Sequence, residues 1–141
     1  MKQTIFLFVS AFILVAPALA QDKPNVAGAV DLKTSDGRIL NGTYFAAAKP
    51  GPGVLLFHQS NRTRKSWDDV GRQLAATGIN VLTVDADPNK TRKQRWPGEL
   101  NAAFEFLRSQ SGVNRDVIGV GGAGVIGVED SVETARLHPP R

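Results

Sequence analysis

The residues with the most suggestive spacing are glycines: Gly119-Val120-Gly121-Gly122-Ala123-Gly124 matches the pattern G-x-G-x-x-G. Placed between a strand and a helix, such a run can cradle a phosphate or present a nucleophile at a sharp turn. A second group, His58-Gln59-Ser60-Asn61, interrupts an apolar run abruptly with polar side chains. Asp85 and Asp87 do the same further on. Two carboxylates without a histidine or further acids make a poor metal site, so these aspartates are read as the polar end of a strand. Arg62, Arg64 and Lys65, with Lys90, Arg92, Lys93 and Arg95, form two basic clusters. They either attract anions or are merely solvated loops; no nucleic-acid-binding module accompanies them, and nucleic acid is not expected as a partner.

The elements that must position these groups alternate. Ala29 to Lys33 and Arg38 to Phe45 are predicted strands joined by a turn containing Asp36-Gly37, a pair favoured in hairpins. Lys49 to Gly53 is predicted as a loop, from its two prolines and two glycines. Val54 to Phe57 is apolar without alternation, as expected of a strand covered on both faces, and Ile79 to Val84 reads as another buried strand. Ser66 to Asp69 suits the start of a helix, with Ser66 as its cap, Trp67, Val70, Leu74 and Ala75 as its buried stripe and Gly78 as its stop. Pro97 opens a second helix, whose stripe is Leu100, Ala103, Phe104 and Leu107. Gly112 to Asp116 reads as a loop, Val117 to Val120 as a strand and Val128 to Leu137 as a helix. Trp67 and Trp96 read as packing residues. Alternating strands and helices predict a three-layer α/β/α sandwich around a mostly parallel sheet of about five strands.

Of the 141 residues, positions 1–20 are predicted to be a secretory signal peptide. A basic start precedes an apolar run of about a dozen residues, and small residues precede Gln21. That run is short of the ~20 residues that span a bilayer, so no stable membrane anchor is expected once it is cleaved. The expected location is periplasmic or secreted. Residues 21–27 read as a flexible lead-in and 28–141 as one partial domain. The chain has no cysteine and a net charge of +4, of which Lys2 contributes one. Nothing in the composition calls for a metal or cofactor.

Four segments, taken together, resemble the dienelactone-hydrolase-like branch of the α/β-hydrolase superfamily. They are Val54 to Arg62, Arg95 to Glu99, Val117 to Ala123 and Ser131 to Pro139, which keep their order along the chain. The resemblance implies a truncated α/β-hydrolase fold, ancestry in ester or lactone hydrolysis and a small ester-like ligand. It implies oxyanion-hole N–H groups near Gln59 and Ser60, with a further one from Ile126, the residue after the nucleophile. Counting back from the matched helix makes Gly127 the last glycine of the elbow and places the nucleophile at Val125. There a hydrocarbon stands where a lone pair is required. Ala123 replaces the first glycine of the motif, and sliding the register to Gly122, Ala123, Gly124 or Ile126 supplies no nucleophile either.

The family's acid and histidine follow the nucleophile on later strands. Here only Glu129, Asp130, Glu133 and His138 follow. Along a helix rising 1.5 Å per residue, His138 falls on the order of 20 Å from Val125, against the ~3 Å that general-base catalysis needs. His58 in the cleft either shapes the oxyanion loop or is structural. The expectation is therefore a hydrolase relative without competent catalytic residues, either truncated or frame-disrupted, with a sheet edge exposed to self-association. The alternatives are a non-catalytic binding module using the cleft between His58 and Gly124, or a dinucleotide site. The latter needs an acidic residue about twenty positions after the glycines on a second strand. A third reading of the corner is that its glycines only let helix and strand approach closely.

Overall fold

The computed structural model describes residues 27–87 and 89–139. The predicted leader at positions 1–20 lies outside these residues, as does all of the lead-in except Ala27, which already belongs to the first strand.

Strands β1 (Ala27–Lys33) and β2 (Ile39–Phe45) form an antiparallel hairpin, closed by the Thr34 N–H donating to the Arg38 carbonyl at 2.9 Å. Strands β3 (Gly51–Phe57), β4 (Asn80–Val84) and β5 (Val113–Gly122) are parallel to one another, and the sheet order is β1-β2-β4-β3-β5. Only β2 runs against the others. The sheet is thus mostly parallel, as the alternating elements imply. All five residues of β4 are buried, the polar Asn80 and Thr83 included, as in a strand covered on both faces.

Helix α1 (Asp68–Ala76) covers one face, where Ala75 packs with Phe45, Leu56 and Val81. The short α2 (Arg92–Arg95), then α3 (Gly98–Ser109) and α4 (Gly124–Leu137), follow in the chain. Leu100, Ala103 and Leu107 of α3, with Leu137 of α4, pack on the other face against Leu55, Phe57 and Leu82. Each fully buried leucine here contributes about 1.5–3 kcal/mol relative to exposure.

Several boundaries differ from the sequence expectation. β3 begins at Gly51 and takes in Pro52; a missing donor is tolerated at the start of a strand. β5 begins at Val113, and Asn114 to Val117 bulge outward, because Gly51 lies opposite Val113 while Gly53 lies opposite Ile118. The polar run Asn114-Arg115-Asp116 suggested a loop, yet an edge strand accommodates both charge and bulge.

At α1 a 3-10 turn, Arg64–Trp67, comes first, and the Ser66 hydroxyl donates to the Thr63 carbonyl instead of capping the helix. The buried face of α1 carries Gly71 rather than Val70, which is 39% exposed. A methyl group at Gly71 would stand 2.7 Å from the Phe45 ring, so this helix lies on the sheet with no room for a side chain there. The strand starts and the place of Val70 differ because neighbouring strands supply contacts that local spacing does not encode, whereas Ser66 is diverted locally, by the Thr63 carbonyl three residues before it.

Candidate functional site

The corner between β5 and α4 is built by backbone contact. Gly119 and Gly121 lie within β5, where added methyl groups would meet Val54 and Leu56 of β3. Two of the three glycines that define the pattern therefore belong to the strand rather than to a phosphate-binding turn. Gly122 and Gly127 approach so closely that a methyl group on Gly122 would stand 2.0 Å from the Gly127 carbonyl oxygen. One on Gly127 would stand 2.7 Å from the Phe57 carbonyl oxygen. The Ala123 N–H donates to that same Phe57 carbonyl at 3.1 Å, tying the corner to the end of β3. Helix α4 begins at Gly124, earlier than the predicted Val128.

The left-handed residue of the corner is Gly124, with φ +65°. Val125, the position reached by counting back from the helix, is one residue further on, inside α4 and 74% exposed. The glycine from which the count started, Gly127, is here a close-packing residue. Gln59 stands over the bend: a Cβ on Gly124 would lie 2.7 Å from Gln59 Cβ. The structure thus brings Gln59, Ala123, Gly124 and Gly127 together, and leaves the Val125 side chain in solvent. Ile126, like Val125, lies in the first turn of α4, whose N–H groups have no intrahelical partner.

Beside this corner, at the carboxyl ends of β3 and β4, lies a cavity of about 830 Å³. His58, Ser60 and Ile126 border it, along with Asp85 and Asp87. His58 is buried, and both of its ring nitrogens are occupied: Nε2 accepts from the Ala86 N–H at 3.0 Å, and Nδ1 lies 2.7 Å from the Gln59 carbonyl. This arrangement requires the proton on Nδ1, and it makes His58 a clamp between the ends of β3 and β4. Asp85 accepts from the Arg64 N–H at 2.7 Å and pairs with the Arg64 guanidinium, so it seats the 3-10 turn. Among the described residues no group of three His, Asp or Glu side chains is placed to hold a metal ion.

The basic clusters are not uniformly solvated. Arg95 is buried and pairs with the buried Asp130 at 2.8 Å, and the Trp96 indole N–H donates to Asp130 at 2.9 Å. Arg92 pairs with Glu129. Arg38, at the far rim, bonds Glu99 at 2.8 Å and Asp36 at 2.7 Å. The Asp36 carboxyl is held down to about 2, first by its hydrogen bond from Thr34 and next by that from Arg38. The Arg95–Asp130 junction and the buried Glu99 were not foreseen. The only sequence signal for the first was an aspartate on a helix face facing a cluster of cations.

A mostly parallel sheet of order β1-β2-β4-β3-β5, with only β2 reversed, and a glycine bend leading from β5 into a helix match solved hydrolase structures. The chain has the α/β-hydrolase fold. The α/β-hydrolase GrgF from Penicillium sp. sh18 superposes with a TM-score of 0.69 at 22% identity, over 78% of this chain and 41% of its own. A Pyrococcus furiosus esterase gives 0.68 at 18% identity, over 97% of this chain and 54% of its own. A dienelactone hydrolase-like promiscuous phosphotriesterase from metagenomic libraries gives 0.62 at 21% identity, over 81% and 56%. The chain therefore spans about half the length of these α/β-hydrolase structures. No protein-family model and no curated protein matches the sequence. Among the described residues no helix of this hydrolase fold is long and apolar enough to cross a membrane.

Proposed function

We propose that this chain descends from ester- or lactone-cleaving α/β hydrolases of the dienelactone-hydrolase-like kind and does not itself turn over such bonds. The observation that carries this reading is the bend at Gly124. Acyl transfer needs a lone pair aimed at the carbonyl carbon, with N–H donors facing the developing oxyanion. The donors have candidates in the backbone at Gln59, Ser60 and Ile126; the attacking atom has none at Gly124 or at its neighbours Ala123, Val125 and Ile126. A serine introduced at Gly124 would also meet Gln59 Cβ.

The test is hydrolysis of an activated aryl ester such as p-nitrophenyl acetate by the purified protein. The expected rate equals the uncatalysed background, and Gly124→Ser alone does not raise it. Turnover that disappears on changing Gly124 or Gln59 would overturn the reading.

A second reading, retention of the cleft as a non-catalytic binding site, is favoured by the cavity beside His58, whose size falls within the ~300–1,000 Å³ typical of small-molecule sites. Export is proposed from the leader pattern of residues 1–20; the expected amino terminus of the exported protein is Gln21, read by terminal sequencing of the periplasmic or secreted fraction. Self-association through the outer edge of β5 and the adjoining helix α4 is proposed from the exposed Val117 of β5 and the exposed Val125, Val128 and Val132 of α4. Sedimentation velocity over a tenfold range of concentration measures it.

A further inference from the structure

We propose that the cavity at the ends of β3 and β4 binds an organic acid with an apolar body, its anionic head held by Arg62 and Lys90. The proposal rests on the reading of this cleft as a binding site without turnover. It comes from asking which polar groups around the cavity are already engaged.

The carboxylates are. Asp85 is taken up by Arg64 through both the backbone and the guanidinium. Asp87 accepts from the Asn89 N–H at 2.9 Å, and Glu99 accepts from Arg38 at 2.8 Å. Both nitrogens of His58 are occupied. Two of the bordering guanidiniums are likewise committed, Arg95 to Asp130 and Arg38 to Glu99 and Asp36.

Of the charged groups bordering the cavity, those left without a partner among the described residues are cationic. Arg62 and Lys90 border the cavity, and neither is ion-paired. Arg62 also borders the smaller cleft next to the glycine bend, together with Gln59 and Ala123. A site whose carboxylates are paired and whose unpaired charges are cationic selects an acceptor-rich, negatively charged ligand. The apolar half of the complement is supplied by Ile39, Leu40 and Ile126. Ile39 is 57% exposed, an unusual setting for a large branched side chain, and it lies at the rim. Carboxylate and phosphate monoester heads share this chemistry and are separated by experiment.

The full-length chain is titrated calorimetrically with octanoate, octyl phosphate, octanol and octylamine at low ionic strength. Binding of octanoate or octyl phosphate is expected, with the tighter of the two naming the head group, and octanol and octylamine should bind at least tenfold more weakly. Arg62→Gln and Lys90→Gln, each at a position outside the core, should weaken the acid about tenfold, the loss of one charge-assisted contact, and should leave the unfolding midpoint in place. Raising salt should weaken the acid and not octanol. Octanol binding as tightly as the acids, or no binding of either acid, overturns the proposal. The aryl-ester assay is separate: turnover there removes the non-catalytic reading, whereas a silent assay with no acid binding removes this inference alone.

Discussion

Helix α4 is held at two places by opposite means. At its start, Gly122 and Gly127 touch backbone to backbone, with no polar side chain involved. One turn later, Asp130 sinks below the surface to meet Arg95 and the Trp96 indole. The first contact depends on side chains being absent, the second on every partner being present. The bend therefore keeps its shape whatever side chains it lacks, because shape there is made by van der Waals contact. A buried ion pair has no such tolerance, since one missing partner strands a charge in a poorly solvating interior.

Breaking the charged anchor should have the largest effect. Asp130→Ala leaves the buried Arg95 unpaired and is expected to lower stability by ~3–5 kcal/mol in urea unfolding. The double replacement Arg95→Met with Asp130→Leu should recover most of that loss, because two apolar side chains of similar volume strand no charge. If Asp130→Ala costs less than the surface pair discussed below, the anchor does not hold α4.

The glycine contact comes next. Gly122→Ala must push α4 away from β5 and is expected to cost ~1–3 kcal/mol, as overpacking does. A neutral result would show that the corner is looser than the 2.0 Å approach implies.

Glu129→Ala serves as the surface counterpart of Asp130→Ala. Its partner Arg92 is half exposed, and loss of an exposed pair costs no more than ~1 kcal/mol.

The smallest effect concerns the far end of the helix. There His138 stacks on Phe104 at 3.9 Å between centroids and bonds Asn101 at 2.9 Å. Burial lowers the His138 pKa from 6.5, with Glu105 opposing and Arg108 reinforcing the shift. A base favoured in its neutral form adds stability that is fully present above its unfolded value and is lost as pH falls below about 6.5. Urea midpoints measured from pH 8 to pH 5 should decline slightly more steeply in this chain than in His138→Gln.

Much of this arrangement can be read from the amino-acid order. The unbroken apolar run at Val54 to Phe57 and the largely apolar stretch Ile79 to Val84 mark strands covered on both sides, and the structure places them inside the sheet, as β3 and β4. The Asp36-Gly37 turn and the α3 stripe are local features and fall where spacing puts them. The Arg95–Asp130 pair joins residues thirty-five positions apart, and a single sequence offers no signal for which of several cations will be buried. Ser66 and Val70 were misplaced because the fold gives Ser66 a nearer acceptor and turns Gly71 inward. Which glycine of the corner carries the left-handed backbone, Gly124, is not legible either, because a glycine required for contact and one required for its backbone are indistinguishable as letters.

The overlap between Gln59 and the empty side of Gly124 has a consequence for how this protein can change. Introducing a hydroxyl or thiol at the bend would collide with Gln59, and trimming Gln59 by itself brings no new reactivity. Neither change is useful without the other, so a reactive atom at this bend requires at least two coupled substitutions, which selection does not favour one at a time.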